Sequence, residues 1–155
     1  MKIRPFQERD AELLAELFHA SVHRLGSLDY SSAQLSVWSP AKPSASRYMK
    51  QASDGRIFLV AVDENDQPIG YGDLERNGHL DHLYCHPDFA GQGVGKAIYQ
   101  QLEMAAKDQG ISRLFVEASE AARRLFENQG FLIEKRLEHM IDGVLIHNYR
   151  MTKDI

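Results

Sequence analysis

The sequence predicts a single α/β domain in which helices flank one mixed sheet, and three observations carry that reading. Ile57 to Val62 is a continuous apolar run of strand length, the pattern of a central strand covered on both faces. Asn77-Gly78 and Asp142-Gly143 each lie between strand-like runs and mark hairpins, because both central residues of a type I′ turn need positive φ. Leu13, Leu14, Leu17 and Phe18 fall at the i, i+3, i+4 spacing of a buried helix face. With 155 residues the chain fits one domain of roughly 100 to 200 residues. A domain of this size buries about 68 to 70% of its extended surface and folds without a disulfide or metal staple.

The elements follow in order. Lys2 to Pro5 reads as a first strand, and Asp10 caps a helix that runs to about Leu25-Gly26. Ser31 with Gln34 three positions on is a capping-box pair; it starts a second helix that Pro40 ends. Ser39 to Ser46 is a loop, and a short third helix covers about Ala45 to Gln51. Gln67 to Glu75 and His79 to Cys85 follow the central strand. A two-residue turn at Asn77-Gly78 sets Arg76 opposite His79, Glu75 opposite Leu80, Leu74 opposite Asp81 and Asp73 opposite His82. After Gly91 to Gly95 a helix turns Ile98, Leu102 and Ala105 to one side and stops at Gly110. Arg113 to Ala118 is a strand, Ser119 caps a helix with Ala122, Leu125 and Phe126 inward, and Gly130 closes it. Leu132 to Ile141 and Val144 to Met151 form the last hairpin.

Composition removes several function classes. The longest strongly apolar stretch, Phe58 to Val62, is far short of the 18 or more residues of a membrane span, so no membrane role is expected. Lys plus Arg number 18 against 22 Asp plus Glu, a net charge of -4. No global positive field gathers phosphate backbones, and nucleic acid is not an expected partner. The single cysteine, Cys85, and an N-terminus without an apolar segment point to a cytoplasmic protein.

The informative segment runs from Leu80 to Lys96, where a strand ends, a glycine-rich loop follows and a helix begins. Glycines let backbone approach a ligand closely, and unpaired N–H groups at a helix start face an anion. The helix dipole contributes only about 0.3 to 1 kcal/mol, so the N–H array must supply most of the grip on a diphosphate. Spacing excludes two nucleotide motifs. A Walker A loop needs Gly at position 90 and Ser or Thr at 97, where this chain has Ala90 and Ala97. A dinucleotide fingerprint needs a third glycine at Lys96 or Ile98.

What remains, Ala90-Gly91-Gln92-Gly93-Val94-Gly95, resembles motif A of the GNAT superfamily of N-acetyltransferases, with Ala90 where the family usually has Gln or Arg. Leu83-Tyr84-Cys85-His86-Pro87-Asp88 before it and Ser119 to Phe131 after it fit the same family, so the resemblance covers nearly the whole chain. It implies a mostly antiparallel sheet and an acetyl-CoA co-substrate without metal. It also implies that Leu83, Tyr84 and Cys85 offer backbone groups to the pantetheine and thioester. Gly91, Gln92, Gly93, Val94, Gly95 and Lys96 would then hold the diphosphate. Ser119 stands where many relatives carry an Asn that touches the cofactor; by its own pattern it is a helix cap. Cys85, at the end of a core strand, reads as a packing residue. Homodimerisation is a further expectation of the resemblance.

Acetyl transfer to an amine needs a neutral nucleophile. An alkylamine of pKa about 10.4 is neutral in roughly one molecule in 2,500 at pH 7, a deficit of about 4.6 kcal/mol. A general base offsets it with about 10² to 10⁴ in rate. The predicted register puts Asp73 and His82 on one face and His79, Asp81 and Leu83 on the other. The resemblance favours the second face, and the candidates are His79, Asp81 and His82; a supporting or surface role is the alternative. His79-x-x-His82-x-x-x-His86 does not read as a metal site, since strand alternation separates the first two rings. Many relatives protonate the thiolate with a Tyr where this chain has Phe126. His139 and His147 read as partly exposed strand residues. Tyr30 and Trp38 either line an acceptor pocket or seal the short helices. The resulting expectation is direct transfer of acetyl from acetyl-CoA to a small-molecule primary amine. The alternatives are a non-catalytic acyl-CoA sensor and a protein or peptide N-acetyltransferase.

Overall fold

A computed structural model describes all residues, Met1 to Ile155. In chain order the elements are β1 (Lys2–Pro5), α1 (Ala11–Gly26), α2 (Ser32–Trp38), α3 (Ala45–Ala52), β2 (Ile57–Val62), β3 (Pro68–Leu74), β4 (Leu80–Cys85), α4 (Val94–Asp108), β5 (Arg113–Ala118), α5 (Glu120–Asn128), β6 (Leu132–Ile141) and β7 (Val144–Asp154). The expected α/β order holds throughout. The sheet, however, is split into an antiparallel group β1-β2-β3-β4 and an antiparallel group β5-β7-β6. They touch through one parallel bridge, His79 to Phe115, where the Phe115 N–H donates to the Gly78 carbonyl at 3.1 Å. Past that point β4 and β5 run side by side without pairing. A cleft opens between them.

Two apolar cores cover the two faces. On one, Leu74, Leu80, Ile98, Leu102, Leu114, Phe126 and Met151 pack under α4 and α5. On the other, Leu14, Leu17, Phe18, Tyr48, Val60 and Tyr71 pack under α1 and α3. β2 is buried between them, as its apolar run requires. α4 lies close on β3 because Gly70 and Gly72 leave room: a Cβ on Gly70 would stand 2.7 Å from a Val94 methyl. Ala106, one residue past the expected Ala105, is the buried alanine at that helix's end.

Local signals fare unequally. Ser31 and Gln34 form the expected capping box, with Gln34 N–H to Ser31 Oγ at 3.2 Å and Ser31 N–H to Gln34 Oε1 at 2.9 Å. Asp10 does not cap α1. It sits in a short 3-10 turn and its buried carboxylate accepts two bonds from Arg4, at 2.8 and 2.9 Å, and one from the Gln7 amide at 2.8 Å. A buried guanidinium outcompetes the helix end for that carboxylate.

The turn at Asn77-Gly78 is longer than predicted. The Glu75 amide bonds the His79 carbonyl at 2.8 Å, leaving Arg76, Asn77 and Gly78 as a three-residue loop with Gly78 at φ 94°. Leu74 therefore faces Leu80, not Asp81, and Glu75 faces His79. A bulge at Asp81 restores the Asp73 to His82 pairing. The extra residue of a bulge leaves the strict alternation of faces. Asp81 and His82 consequently lie together, with Asp81 Oδ2 at 3.5 Å from His82 Nδ1.

Candidate active site

The glycine-rich loop leaves β4 through a 3-10 turn, Pro87–Phe89, and enters α4 at Gly93. Gly91 at φ 77° and Gly93 at φ 80° hold left-handed conformations that a side chain disfavours, and a Cβ at either would meet no protein atom within 4 Å. The glycines thus shape an open cradle and fill no tight spot. The amides of Gly91, Gly93, Val94, Gly95 and Lys96 have no acceptor in the protein, whereas Gln92 N–H bonds the Phe89 carbonyl at 3.4 Å and Ala97 N–H bonds Gly93 at 3.0 Å. Converging unpaired donors at the start of a long helix fit a diphosphate. Gln92 is the exception among the expected contacts, since its amide is spent and it does not line the groove.

That groove, of about 320 Å³, is walled by Leu83, Tyr84, Cys85, the loop and the Ser119 end of α5. Ser119 does cap α5, its Oγ accepting from Ala122 N–H at 3.3 Å, and it also faces the groove. Burial pushes the Cys85 thiol up to about 11, so it packs as a neutral group. A second cleft of about 290 Å³ lies against the first. The two share Tyr30, Trp38, Leu83, Tyr84, Ser119 and Ala122 as a common wall. Tyr30 is only 7% exposed, so it seals α2 and lines both spaces at once.

The expected acid and base residues meet different fates. His79 lies at the bridge between the sheets and lines neither cleft. Its Nδ1 is 2.7 Å from Glu75 and its Nε2 2.5 Å from Glu117, with the ring stacked on Phe115. Burial disfavours its charged form, but the two carboxylates outweigh that and raise its pKa. A ring with both nitrogens committed has no lone pair for a substrate. His82 is buried with Nδ1 at 2.9 Å from Asp73 and Nε2 at 3.5 Å from Arg47. Asp81 does line the second cleft. Burial opposes its ionisation, yet His82 and Arg56 hold its carboxyl below the ordinary range.

Asp73, Asp81 and His82 converge, contrary to the opposite-face expectation, and so do Glu75, His79 and Asp81. The cation among them is a guanidinium. Arg56 donates to Asp73 at 2.9 Å, to Asp81 at 2.8 Å and to Asp54 at 2.8 Å. Phe126 lines the cleft from within a cluster with Tyr99 and Phe131 and carries no proton to give. Glu117, His139, His147 and Asn148 complete the cleft's polar wall. Sequence reasoning missed them because β7 crosses to pair with β5, which no local signal announces.

A model described as an acetyltransferase (GNAT) domain matches residues 27–153. The chain belongs to the GNAT family of acetyltransferases. Acetyl-CoA is accordingly its acetyl donor and the glycine-loop groove fits it. This GNAT chain is 28% identical over 152 residues to the uncharacterized N-acetyltransferase YafP of Escherichia coli, spanning 97% of this chain and 94% of that protein. It is 35% identical over 80 residues to the peptidyl-lysine N-acetyltransferase YjaB of Escherichia coli, about half of each chain (51% and 52%). Among solved structures, a GCN5-related N-acetyltransferase from Rhodopseudomonas palustris superposes with a TM-score of 0.89 at 32% identity, covering 99% of this chain and 95% of that one. The PaiA N-acetyltransferase of Thermoplasma acidophilum, solved with coenzyme A, shares the fold at a TM-score of 0.79 and 21% identity over 99% and 98% of the two chains.

Proposed function

We propose that this acetyltransferase moves acetyl from acetyl-CoA to the primary amine of a small molecule with an apolar body. The observation that carries the reading is the joining of the two clefts: a donor bound along the glycine loop and an acceptor in the second space meet at the wall formed by Tyr30, Leu83, Tyr84 and Ser119. Orienting two reactants at one point removes much of the entropic barrier, worth up to about 7 to 11 kcal/mol in well-aligned systems. The second cleft is small, roofed by α2 and the β6–β7 hairpin, and mostly apolar through Trp38, Leu80, Val116 and Ile146. Asp81 and Glu117 in its wall attract a cationic amine.

β4 has no partner on the side facing β5 beyond the bridge, so its free backbone groups from Leu83 to Cys85 are available to a pantetheine chain by strand-like pairing. The acetyl donor supplies an activated thioester. The amides of Gly91, Gly93, Val94, Gly95 and Lys96 would anchor its diphosphate, and Phe126 keeps water from the cleft's inner end.

Thiol release from acetyl-CoA across two arms tests the reading: small arylalkylamines such as phenethylamine, and short lysine peptides. The peptide arm is prompted by the peptidyl-lysine relatives that match half of the chain. Turnover of the small amines is the expected result; turnover of peptides alone would overturn the small-amine reading.

A further inference from the structure

His139 and His147 are the histidines that line the acceptor cleft, and their partners differ. His139 Nε2 pairs with the neutral amide oxygen of Asn148 at 3.0 Å. His147 Nε2 lies 2.7 Å from Glu120 Oε1, each side chain 16% exposed. A carboxylate has no proton to give, so Nε2–H donates, and the neutral ring is fixed as the tautomer whose lone pair is on Nδ1. Nδ1 has no hydrogen-bond partner in the protein and is not sealed from solvent.

Glu120 is itself held in place. Tyr149 Oη donates to it at 2.8 Å and Arg123 Nε at 3.1 Å. Its backbone N–H donates to Tyr30 Oη at 3.1 Å, and Tyr30 Oη donates to the His147 carbonyl at 3.0 Å. The ring therefore joins, through one residue, the Tyr30 wall where the two clefts meet. Burial opposes ionisation of Glu120, but the bonds from His147, Tyr149 and Arg123 hold its carboxyl down at about 2. A nucleophile's base oriented by a third, permanently charged group is the arrangement that amine activation needs.

We propose that His147 is the general base of the acetyl transfer, with Glu120 as its positioning residue; this rests on the reading of the second cleft as the acceptor's site. In the step, the acceptor amine first gives up its ammonium proton to solvent; its nitrogen then bonds to the thioester carbonyl carbon and the carbon–sulfur bond breaks. His147 Nδ1 takes the proton that the nitrogen sheds, and Glu120 stabilises the imidazolium. That proton passes through water to the thiolate sulfur, which restores the neutral ring and leaves an amide and a thiol. The charged or titratable groups around the ring are Glu120 and Arg123 of α5, Tyr149 of its own strand, Tyr30, and Glu138 across the β6–β7 register. Asp81 and Glu117 line the same cleft.

The test is the pH–rate profile of thiol release from acetyl-CoA for the native protein, His147→Gln and Glu120→Gln, run on phenethylamine and on a lysine peptide. His147→Gln is expected to lose about 10² to 10⁴ in kcat together with the acid limb of the profile, while its calorimetric Kd for CoA stays unchanged. Glu120→Gln is expected to lose less, in kcat and not in KM for the amine, because the ring keeps its place in the cleft but loses the carboxylate that orients it. A His147→Gln protein within about threefold of native, with the limb in place, would overturn the assignment. Should that variant fail to fold, two-bond ¹H–¹⁵N correlation of the native imidazoles decides: the Nε2–H tautomer supports the proposal and the Nδ1–H tautomer overturns it. Turnover confined to the peptide would overturn the small-amine reading alone and leave the base to be judged on that peptide. No turnover in either arm would overturn both.

Discussion

Asp73 is the residue whose removal most directly tests the buried network behind the cleft. It is fully buried and accepts three bonds: the His82 amide at 2.8 Å, His82 Nδ1–H at 2.9 Å and Arg56 Nη1 at 2.9 Å. Arg56 is itself buried, at 7% side-chain exposure. Asp73→Ala leaves that cation short of one carboxylate and two His82 donors without acceptors. Breaking a buried ion pair from one side costs about 3 to 5 kcal/mol. Asp54 and Asp81 stay on Arg56, so we take the lower end, about 3 kcal/mol. At about 2 to 4 °C per kcal/mol for a chain of this length, Tm falls by about 6 to 12 °C. Asp73→Asn keeps an oxygen for the His82 amide and falls by about half as much. Circular-dichroism melts measure both. Because Asp73 pairs with His82 beside the Asp81 bulge, KM for the amine rises in Asp73→Ala more than KM for acetyl-CoA. A Tm loss under about 3 °C would refute the view that this network sustains the bulge.

Gly93→Ala puts a methyl into open space at φ 80°, so its folding cost is backbone strain alone, about 1 to 2 kcal/mol or about 2 to 8 °C in Tm. Its calorimetric Kd for CoA nevertheless rises at least tenfold, roughly 1.4 kcal/mol, because the amide cradle is distorted. The Glu120 carboxyl titrates at about 2 in the fold against an ordinary value of 4.5. A group held below its unfolded value gives stability that is complete above the upper figure and is lost as pH falls through the lower one. Acid-unfolding curves of Glu120→Gln are therefore flatter than native between those two pH values. With its thiol at about 11, Cys85 reacts with iodoacetamide at pH 8 about 100-fold more slowly than free cysteine. Saturating CoA slows it further, and mass spectrometry follows both rates.

The fold was legible where signals are local. The Ser31 and Gln34 box, the Ile57–Val62 run and the Asp142-Gly143 turn each carry their own physical cause and appear as read. The glycine loop was legible for the same reason, since backbone donors need only a sequence that frees them. What was not legible depends on distant partners. Asp10 reads as a cap until Arg4 is seen beside it. One added residue in the hairpin loop, compensated by the bulge at Asp81, moved that carboxylate to the side of His82. His79 looked like a base because its flanking Glu117 comes from β5, 38 positions away. His147 looked like an ordinary strand residue because Glu120 reaches it only after β7 has crossed to β5.

Whether the backbone amides of the glycine loop grip a diphosphate is read amide by amide in a ¹H–¹⁵N titration with CoA. The largest shifts are predicted at Gly91, Gly93, Val94, Gly95 and Lys96, with acetyl-pantetheine, which has no diphosphate, leaving those peaks in place. Saturation by CoA with these five amides unmoved would contradict the account.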